Sequence, residues 1–79
     1  MKLTIISPEK IIFEGETAYV TVPGGKGPFE ILRGHAPIIS NLQKGVIYYD
    51  NKGKCSVKIN SGFVEVANDN VTVCVEIAK

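Results

Sequence analysis

The sequence is poor in the side chains from which most catalytic and metal sites are built. It has no tryptophan, one methionine, one histidine and two cysteines among 79 residues. Two thiols and one imidazole cannot supply the four ligands of a structural zinc site. The sequence contains no Gly-x-Ser-x-Gly motif that would supply a nucleophile for His35 to activate as a base. We therefore interpret His35 as a loop residue that is hydrogen-bonded to the backbone beside Gly34 and Pro37. These absences argue against an enzyme active site, a metal site and a bound cofactor.

The chain also has almost no excess charge of either sign. Nine Lys and Arg residues nearly balance eight Asp and Glu residues, which leaves a net charge of +1. Proteins that bind nucleic acid need a basic surface to neutralise phosphates, so the composition argues against that class. No apolar run approaches the roughly 20 residues of a membrane span, and the first residues do not resemble a signal peptide. We therefore expect reduced cysteines and a cytosolic setting.

Long uninterrupted segments are missing as well. Glycine and proline divide the first 62 residues so that no stretch between them exceeds eight residues, whereas an average helix has about 11. Val (9) and Ile (10) outnumber Leu (3), Ala (4) and Met (1), and β-branched side chains favour strands. Apolar and polar residues alternate with period two at 17–22, 54–59 and 71–77. The sequence predicts a single all-β domain over 1–79, a two-sheet sandwich or small barrel.

The alternation and the turn residues make local predictions. At 17–22 we expect Ala18 to face the core and Thr17 to face solvent. Asn, Asp and Gly tolerate the positive φ of tight hairpins, which predicts turns at Asp50–Gly53 and Asn68–Asn70. The strands that these turns would join are 46–49 with 54–60 and 63–67 with 71–77.

Lys26 and Lys52 lie beside glycines, which suggests a phosphate-binding loop and a carrier lysine, but the neighbouring residues argue against both functions. Gly24–Gly27, with Lys26, lacks the Gly-x4-Gly-Lys-Ser/Thr spacing of a phosphate-binding loop, so a flexible turn is favoured. Lys52, at a predicted hairpin tip, would suit a lipoyl or biotinyl carrier domain, which is a sandwich of similar size. Its neighbours Asn51 and Gly53 do not match the flanking residues of such carriers. A free-standing binding or carrier module is kept as the alternative function.

The segment Gly34–Leu42 is unusually apolar for a loop. Ile38 and Ile39 are adjacent in it, and Pro28 and Pro37 stiffen the surrounding chain. Such a segment either closes the open end of the sandwich or forms part of a contact surface. Both interpretations are compatible with the sequence.

Six short segments occur in an order typical of one family. Residues 5–16 contain Ser-Pro-Glu and Phe-Glu-Gly, Gly34–Pro37 reads Gly-His-Ala-Pro, and Ser61–Val66 begins Ser-Gly-Phe. The other three are Val20–Gly24 before the glycine-rich turn, Lys44–Ile47 and Asn70–Val73. Over the whole chain this pattern resembles the N-terminal β-sandwich domain of the epsilon subunit of bacterial F-type rotary ATP synthases.

The resemblance implies a sandwich of about ten short strands and a non-catalytic role in the rotor. Epsilon subunits of this kind bind the gamma subunit and the ring of c subunits at the cytoplasmic face of the cell membrane, coupling ion translocation to ATP synthesis or hydrolysis. By position, the gamma interface would include Ser7, His35, Ala36, Pro37, Ile38, Ile39, Ser40 and Leu42. The c-ring interface would include Lys26, Gly27, Pro28, Phe29, Glu30 and Ile31.

The sequence departs from the family pattern in two places. Pro28, Glu30 and Arg33 stand where the family usually has Glu, Gly and Pro, which displaces the carboxylate of the ring-facing turn by two residues. Typical bacterial members continue into a C-terminal helical hairpin that inhibits ATP hydrolysis and in some members binds ATP, whereas this sequence ends at Lys79. We therefore expect a short form without ATP binding. The resemblance also predicts a turn around Gly62, with a positive φ at that glycine.

Overall fold

The computed structural model describes residues 1–50 and 55–78 of the chain. Over these residues it contains strands and no helix, which confirms the all-β prediction. Eight strands are present in the described ranges, where the family resemblance implied about ten. They are β1 (Lys2–Ile6), β2 (Ile11–Glu16), β3 (Tyr19–Gly24), β4 (Gly27–Leu32), β5 (Ile38–Leu42), β6 (Gly45–Tyr49), β7 (Cys55–Ala67) and β8 (Asn70–Ile77).

Backbone hydrogen bonds join the eight strands into a sheet that β7 divides into two halves. The first half has the order β2-β1-β8-β7-β5, in which β1 and β8 are parallel and the other neighbours are antiparallel. The second half has the antiparallel order β4-β3-β6-β7. Strand β7 pairs with β6 through residues 55–59 and with β5 through residues 62–66. The two halves form the layers of the predicted sandwich, and one long strand belongs to both.

The core lies between the two halves and consists mainly of branched aliphatic side chains. Leu3 and Ile5 from the first half, and Val20, Val22 and Ile47 from the second, have no exposed surface. Each such side chain stabilises the fold by about 1.5–3 kcal/mol relative to an exposed one. The alternation predicted for β8 is confirmed, because its three valines are buried on one face. On the other face Thr72 and Cys74 are half-buried and Glu76 is exposed.

The entry to β3 differs from the predicted alternation. Thr17 is buried and Ala18 is exposed, the reverse of the expectation. The strand begins only at Tyr19, so the two residues before it do not follow its pleat. Thr17 Oγ1 donates to the Tyr19 carbonyl (2.9 Å) and accepts from the Asp50 N–H (3.0 Å). These two bonds allow a polar side chain to be buried without an unsatisfied group.

The turn predicted around Gly62 is absent, because β7 continues through this position. Its φ lies outside the positive range, and a change of register between Ile59 and Ser61 bends the strand instead. The reason for glycine here is close approach. A Cβ atom at residue 62 would overlap the carbonyl oxygen of Cys74 on β8 and lie 3.2 Å from the Cα of Val75. The absent side chain lets β8 follow β7 across the bend.

The predicted hairpin turn at Asn68–Asn70 and the predicted turn at Gly24–Gly27 are both present in the described residues. Asn68 and Asp69 have φ values of 51° and 62°, the left-handed conformations of a type I′ turn, and they join β7 to β8. Gly25 and Lys26 form the turn between β3 and β4, where Gly27 has a φ of 122°. The remaining hairpin begins at Asp50, whose φ is 88°, and its residues 51–54 lie outside the described ranges.

We predict that Gly62→Ala destabilises the chain by about 1–3 kcal/mol, because the new methyl group is forced against the β8 backbone. Urea denaturation followed by circular dichroism measures the change. Gly25→Ala is the matched control, since no atom lies within 4 Å of a Cβ at that turn position. Its effect should stay within about 0.5 kcal/mol. Equal midpoints for Gly62→Ala and wild type would contradict this account of the bend.

Candidate functional site

The apolar segment Gly34–Leu42 is a turn followed by strand β5. Ile38 packs partly buried against the core and Leu42 is buried in it, whereas Ile39 between them is 74% exposed. Ala36 and Pro37 are exposed in the preceding turn. The sequence predicts that this segment either closes the end of the sandwich or forms part of a contact surface. The strand alternation allows both, because Ile38 and Leu42 face the core while Ile39 faces outward.

His35 lies half-buried in the turn before β5. Its N–H donates to the Leu32 carbonyl (3.1 Å), and its ring Nδ1 lies 2.8 Å from the carbonyl oxygen of Ala36. The carbonyl can only accept, so this contact is a hydrogen bond in the tautomer that has its proton on Nδ1. The interpretation of His35 as a loop residue bonded to the backbone is confirmed.

An apolar stripe crosses the outer face of the β2-β1-β8-β7-β5 half. Phe63, Cys74, Ile6 and Ile11 are consecutive partners in the strand register and share this face. Phe63 is 44% and Ile11 is 60% exposed. Ile39 lies diagonally beside Phe63, since its direct partner is Glu65 on the same face of β7. We use the name apolar stripe for these five residues: Ile6, Ile11, Ile39, Phe63 and Cys74.

A shallow groove of about 390 Å³ runs along the middle of the apolar stripe. Ser7 lines it, so this predicted site residue shares the sheet face on which Ile39 is exposed. The Ser7 hydroxyl lies 3.3 Å from the carbonyl oxygen and amide nitrogen of Lys10, which fixes the turn after β1. The full lining is Ile6, Ser7, Pro8, Gly62, Phe63, Cys74, Val75 and Glu76.

Phe63 and Cys74 are not among the site residues predicted from the sequence, although a signal for Phe63 is present. Residues 63–66 are apolar at three of four positions, which exceeds what a strand with one solvated face needs. Cys74 gives no such signal, because a cysteine on a polar strand face is unremarkable in sequence. Only the pairing of β8 with β7 and β1 brings it beside Phe63 and Ile6.

The predicted ring-facing residues form the turn and the edge strand of the β3–β4 hairpin. Lys26 and Pro28 are exposed, Gly27 is half-buried, and Glu30 is exposed on the outer face of the second half. Phe29 packs against the core and Ile31 is completely buried, so these two support the hairpin from inside.

The two predicted interfaces approach each other at the C-terminal end of β5. Gly24 pairs with Leu42, and Ser40 and Asn41 line a groove of about 510 Å³ together with the β3–β4 turn. Ser40 is therefore placed beside the ring-facing turn, while His35 and Ile38 lie towards the other end of β5. The Leu42 side chain is in the core, so its contribution to any surface is indirect.

Other functional groups are scattered among the described residues. Over 1–50 and 55–78 no three His, Cys, Asp or Glu side chains form a group that could hold a metal ion. Within the same ranges no helix has the length and apolar character needed to cross a membrane. Lys52, on which the carrier alternative depends, lies outside the described residues.

Comparison with known proteins identifies close relatives over the full chain. The family model for the ATP synthase delta/epsilon chain β-sandwich domain matches residues 1–79. The ATP synthase epsilon chain of Desulfitobacterium hafniense (strain DSM 10664 / DCB-2) is 40% identical over 78 residues, covering 98% of this chain and 59% of the relative. That of Bdellovibrio bacteriovorus is 44% identical over 82 residues, covering 99% and 59%. The chain thus spans about three fifths of the length of these relatives.

Solved structures share the fold at lower sequence identity. A chain of the central stalk/c-ring structure of the Tetrahymena thermophila mitochondrial ATP synthase superposes with a TM-score of 0.79 at 15% identity, covering 95% of this chain and 62% of that one. A chain of the Euglena gracilis mitochondrial ATP synthase gives the same TM-score at 23% identity, with coverage of 92% and 48%. These matches support the sandwich topology described above.

The clearest electrostatic perturbation lies in the core, at Tyr49. Burial raises the pKa of Tyr49 above its usual value of 10.0, and electrostatic interactions with Cys55 and Asp50 raise it further. The unfolded chain therefore loses this proton at a lower pH than the folded chain. The contribution of the protonated Tyr49 to the free energy of unfolding is therefore complete below pH 10. It is lost as the pH rises through the folded-state pKa of Tyr49.

We predict that Tyr49→Phe reduces the loss of stability between about pH 9 and 11, because the group that ionises on unfolding is removed. The ring contact with Phe13, at a centroid distance of 4.7 Å, is retained in this variant. Thermal unfolding midpoints across this range measure the effect. Tyr48→Phe, at a 46% exposed tyrosine, is the control and should keep the wild-type slope. Identical slopes for wild type and Tyr49→Phe would contradict the assignment.

Proposed function

Because the chain belongs to the delta/epsilon β-sandwich family of ATP synthases, we propose that it is a rotor subunit of an F-type ATP synthase. In this role it binds the gamma subunit and the c-ring in the central stalk, and helps to couple ion translocation to ATP synthesis or hydrolysis. The complex places it at the cytoplasmic face of a bacterial cell membrane. The family match favours this function over a free-standing carrier module.

The observation that carries the proposal is the apolar stripe. A small monomer rarely leaves large apolar side chains together on one sheet face, and here the most exposed of them, Ile39, is 74% exposed. The stripe adjoins Ser7 and the His35–Pro37 turn, the residues that the family resemblance assigns to the gamma interface. We infer that gamma covers this face, and that Phe63 and Cys74 join the interface.

The β3–β4 turn suits the contact with the ring. It is a short two-residue turn at one end of the sandwich, with Lys26 exposed at its tip and two glycines beside it. The buried side chain of Ile31 and the partly buried side chain of Phe29 anchor the edge strand that follows. A turn anchored in this way presents its backbone and Lys26 to the c-subunit loops without deforming.

The chain itself is non-catalytic in this proposal. Its single histidine is bonded to a neighbouring carbonyl, and rotary coupling requires binding surfaces on a stiff body instead of a reactive group. We also propose that this sandwich binds neither ATP nor a metal cofactor. Isothermal calorimetry with ATP tests this point directly.

We predict that Ile39→Asp weakens binding to the gamma subunit of the same organism about tenfold to a hundredfold. A charge within an apolar contact must lose its hydration on docking without gaining a partner, which weakens binding. Calorimetry or biolayer interferometry with purified gamma measures the affinity. The variant should still fold, because residue 39 is on the surface, although the new carboxylate lies opposite Glu65 on β7 and lowers the stability slightly.

Tyr48→Asp is the control for Ile39→Asp. Tyr48 is a 46% exposed residue on β6 of the other half, where it pairs with Thr21 and Ser56, away from the apolar stripe and the His35–Pro37 turn. It should bind gamma as wild type does. Equal losses for the two variants would contradict the placement of the interface on the apolar stripe, and failure of the wild-type chain to bind gamma would contradict the proposed function.

We predict that a photo-crosslinking amino acid at Lys26 captures a c subunit in the assembled complex. The same group at Asn68 should not, because Asn68 adjoins the other end of β5, where Ile38 pairs with Val66. Mass spectrometry of the crosslinked bands identifies the partner. Capture of c from Asn68, or from neither position, would contradict the proposed orientation on the ring.

A further inference from the structure

One carboxylate attaches the turn before β5 to the tip of the β7–β8 hairpin. The N–H of Gly34 donates a hydrogen bond of 3.1 Å to Oδ1 of Asp69, which lies 35 residues away in the sequence. The hairpin tip is itself held, because the carbonyl of Asp69 accepts a bond of 3.1 Å from the Lys2 N–H. The Asp69 side chain therefore projects from a fixed support.

The tethered segment is the one that leads into the proposed gamma interface. After Gly34 come His35, Ala36 and Pro37, and then Ile38 enters the strand ladder opposite Val66. The bonds of His35 to Leu32 and Ala36 are local, within three residues. The Asp69 bond and the β5 ladder thus fix the two ends of the segment, and both attach it to the same hairpin.

We propose that Asp69 is a positioning residue for the gamma-subunit interface, whose carboxylate holds the His35–Pro37 turn in its binding conformation. The proposal rests on the proposed binding of gamma. Gly34 has a φ of 81°, and a glycine can leave such a conformation at little steric cost unless its amide is held. A segment that is fixed before docking loses less conformational entropy on binding.

The substitution Asp69→Gly separates the tether from the stability of the hairpin. Asn-Gly is a preferred sequence for a type I′ turn, so the Asn68–Gly turn should keep its geometry and its thermal stability. The Gly34 amide loses its acceptor, and we expect it to exchange with solvent about threefold to tenfold faster. Affinity for gamma should fall by a similar factor. If Asp69 only stabilised the fold, the substitution would lower the affinity for gamma only when it also lowered the unfolding temperature.

Asp69→Asn is the matched control, because its amide oxygen can still accept from Gly34 and asparagine tolerates positive φ. It also removes the charge that faces the α-amino nitrogen of Met1 at 3.9 Å, which separates the hydrogen bond from the ion pair. This variant should match wild type in Gly34 exchange, measured by NMR, and in gamma affinity.

Each outcome decides the proposal. Unchanged Gly34 exchange in Asp69→Gly would overturn the tether, and faster exchange with unchanged affinity would overturn the positioning role. An Asp69→Asn variant that behaves like Asp69→Gly would show that charge is responsible instead of the bond. If wild type does not bind gamma, the proposed function fails and the positioning role fails with it, while the exchange data still decide whether the tether exists.

Discussion

The participation of β7 in both halves of the sandwich is the constraint on which the rest of the structure depends. A strand that pairs with β6 at one end and β5 at the other must bend between them, and the bend lies at the register shift between Ile59 and Ser61. Gly62 lets β8 stay paired through this bend, because any side chain there would meet the β8 backbone. The inward faces on both sides of the bend then enclose one core, which buries Ile59, Val64 and Val73 completely.

The same arrangement determines where the candidate interface lies. Since the core occupies one face of the β2-β1-β8-β7-β5 half, every second residue of these strands faces outward. At several such positions the side chain is apolar, and the strand register lines up Ile6, Phe63 and Cys74 across three neighbouring strands. The apolar stripe is therefore a product of strand pairing between segments that are distant in sequence, and not of one local motif.

The interface and the interior are joined through β5 and the turn before it. Ile38 and Leu42 pack inward, while Ile39 between them faces outward, so the strand cannot shift without disturbing the core. At its start the Asp69 carboxylate holds Gly34, and at its end Leu42 pairs with Gly24 beside the β3–β4 turn. In the rotor proposed for this chain, such a strand connects the surface facing gamma to the turn facing the ring without a flexible element between them.

The sequence by itself determined the fold class, the hairpin at Asn68–Asp69 and the backbone-bonded role of His35. Each of these features depends on local chemistry. The fold class follows from β-branched side chains that alternate with period two, and the hairpin follows from residues that tolerate positive φ. The bond of His35 is to the carbonyl of the next residue in the chain. The sequence also carried the family resemblance, which the family model matches over residues 1–79. Only the tertiary structure decided that β7 runs through Gly62, that Thr17 is buried beside Asp50, and that Asp69 reaches Gly34. Each of these depends on which distant segments lie side by side, and no spacing along the chain encodes that contact.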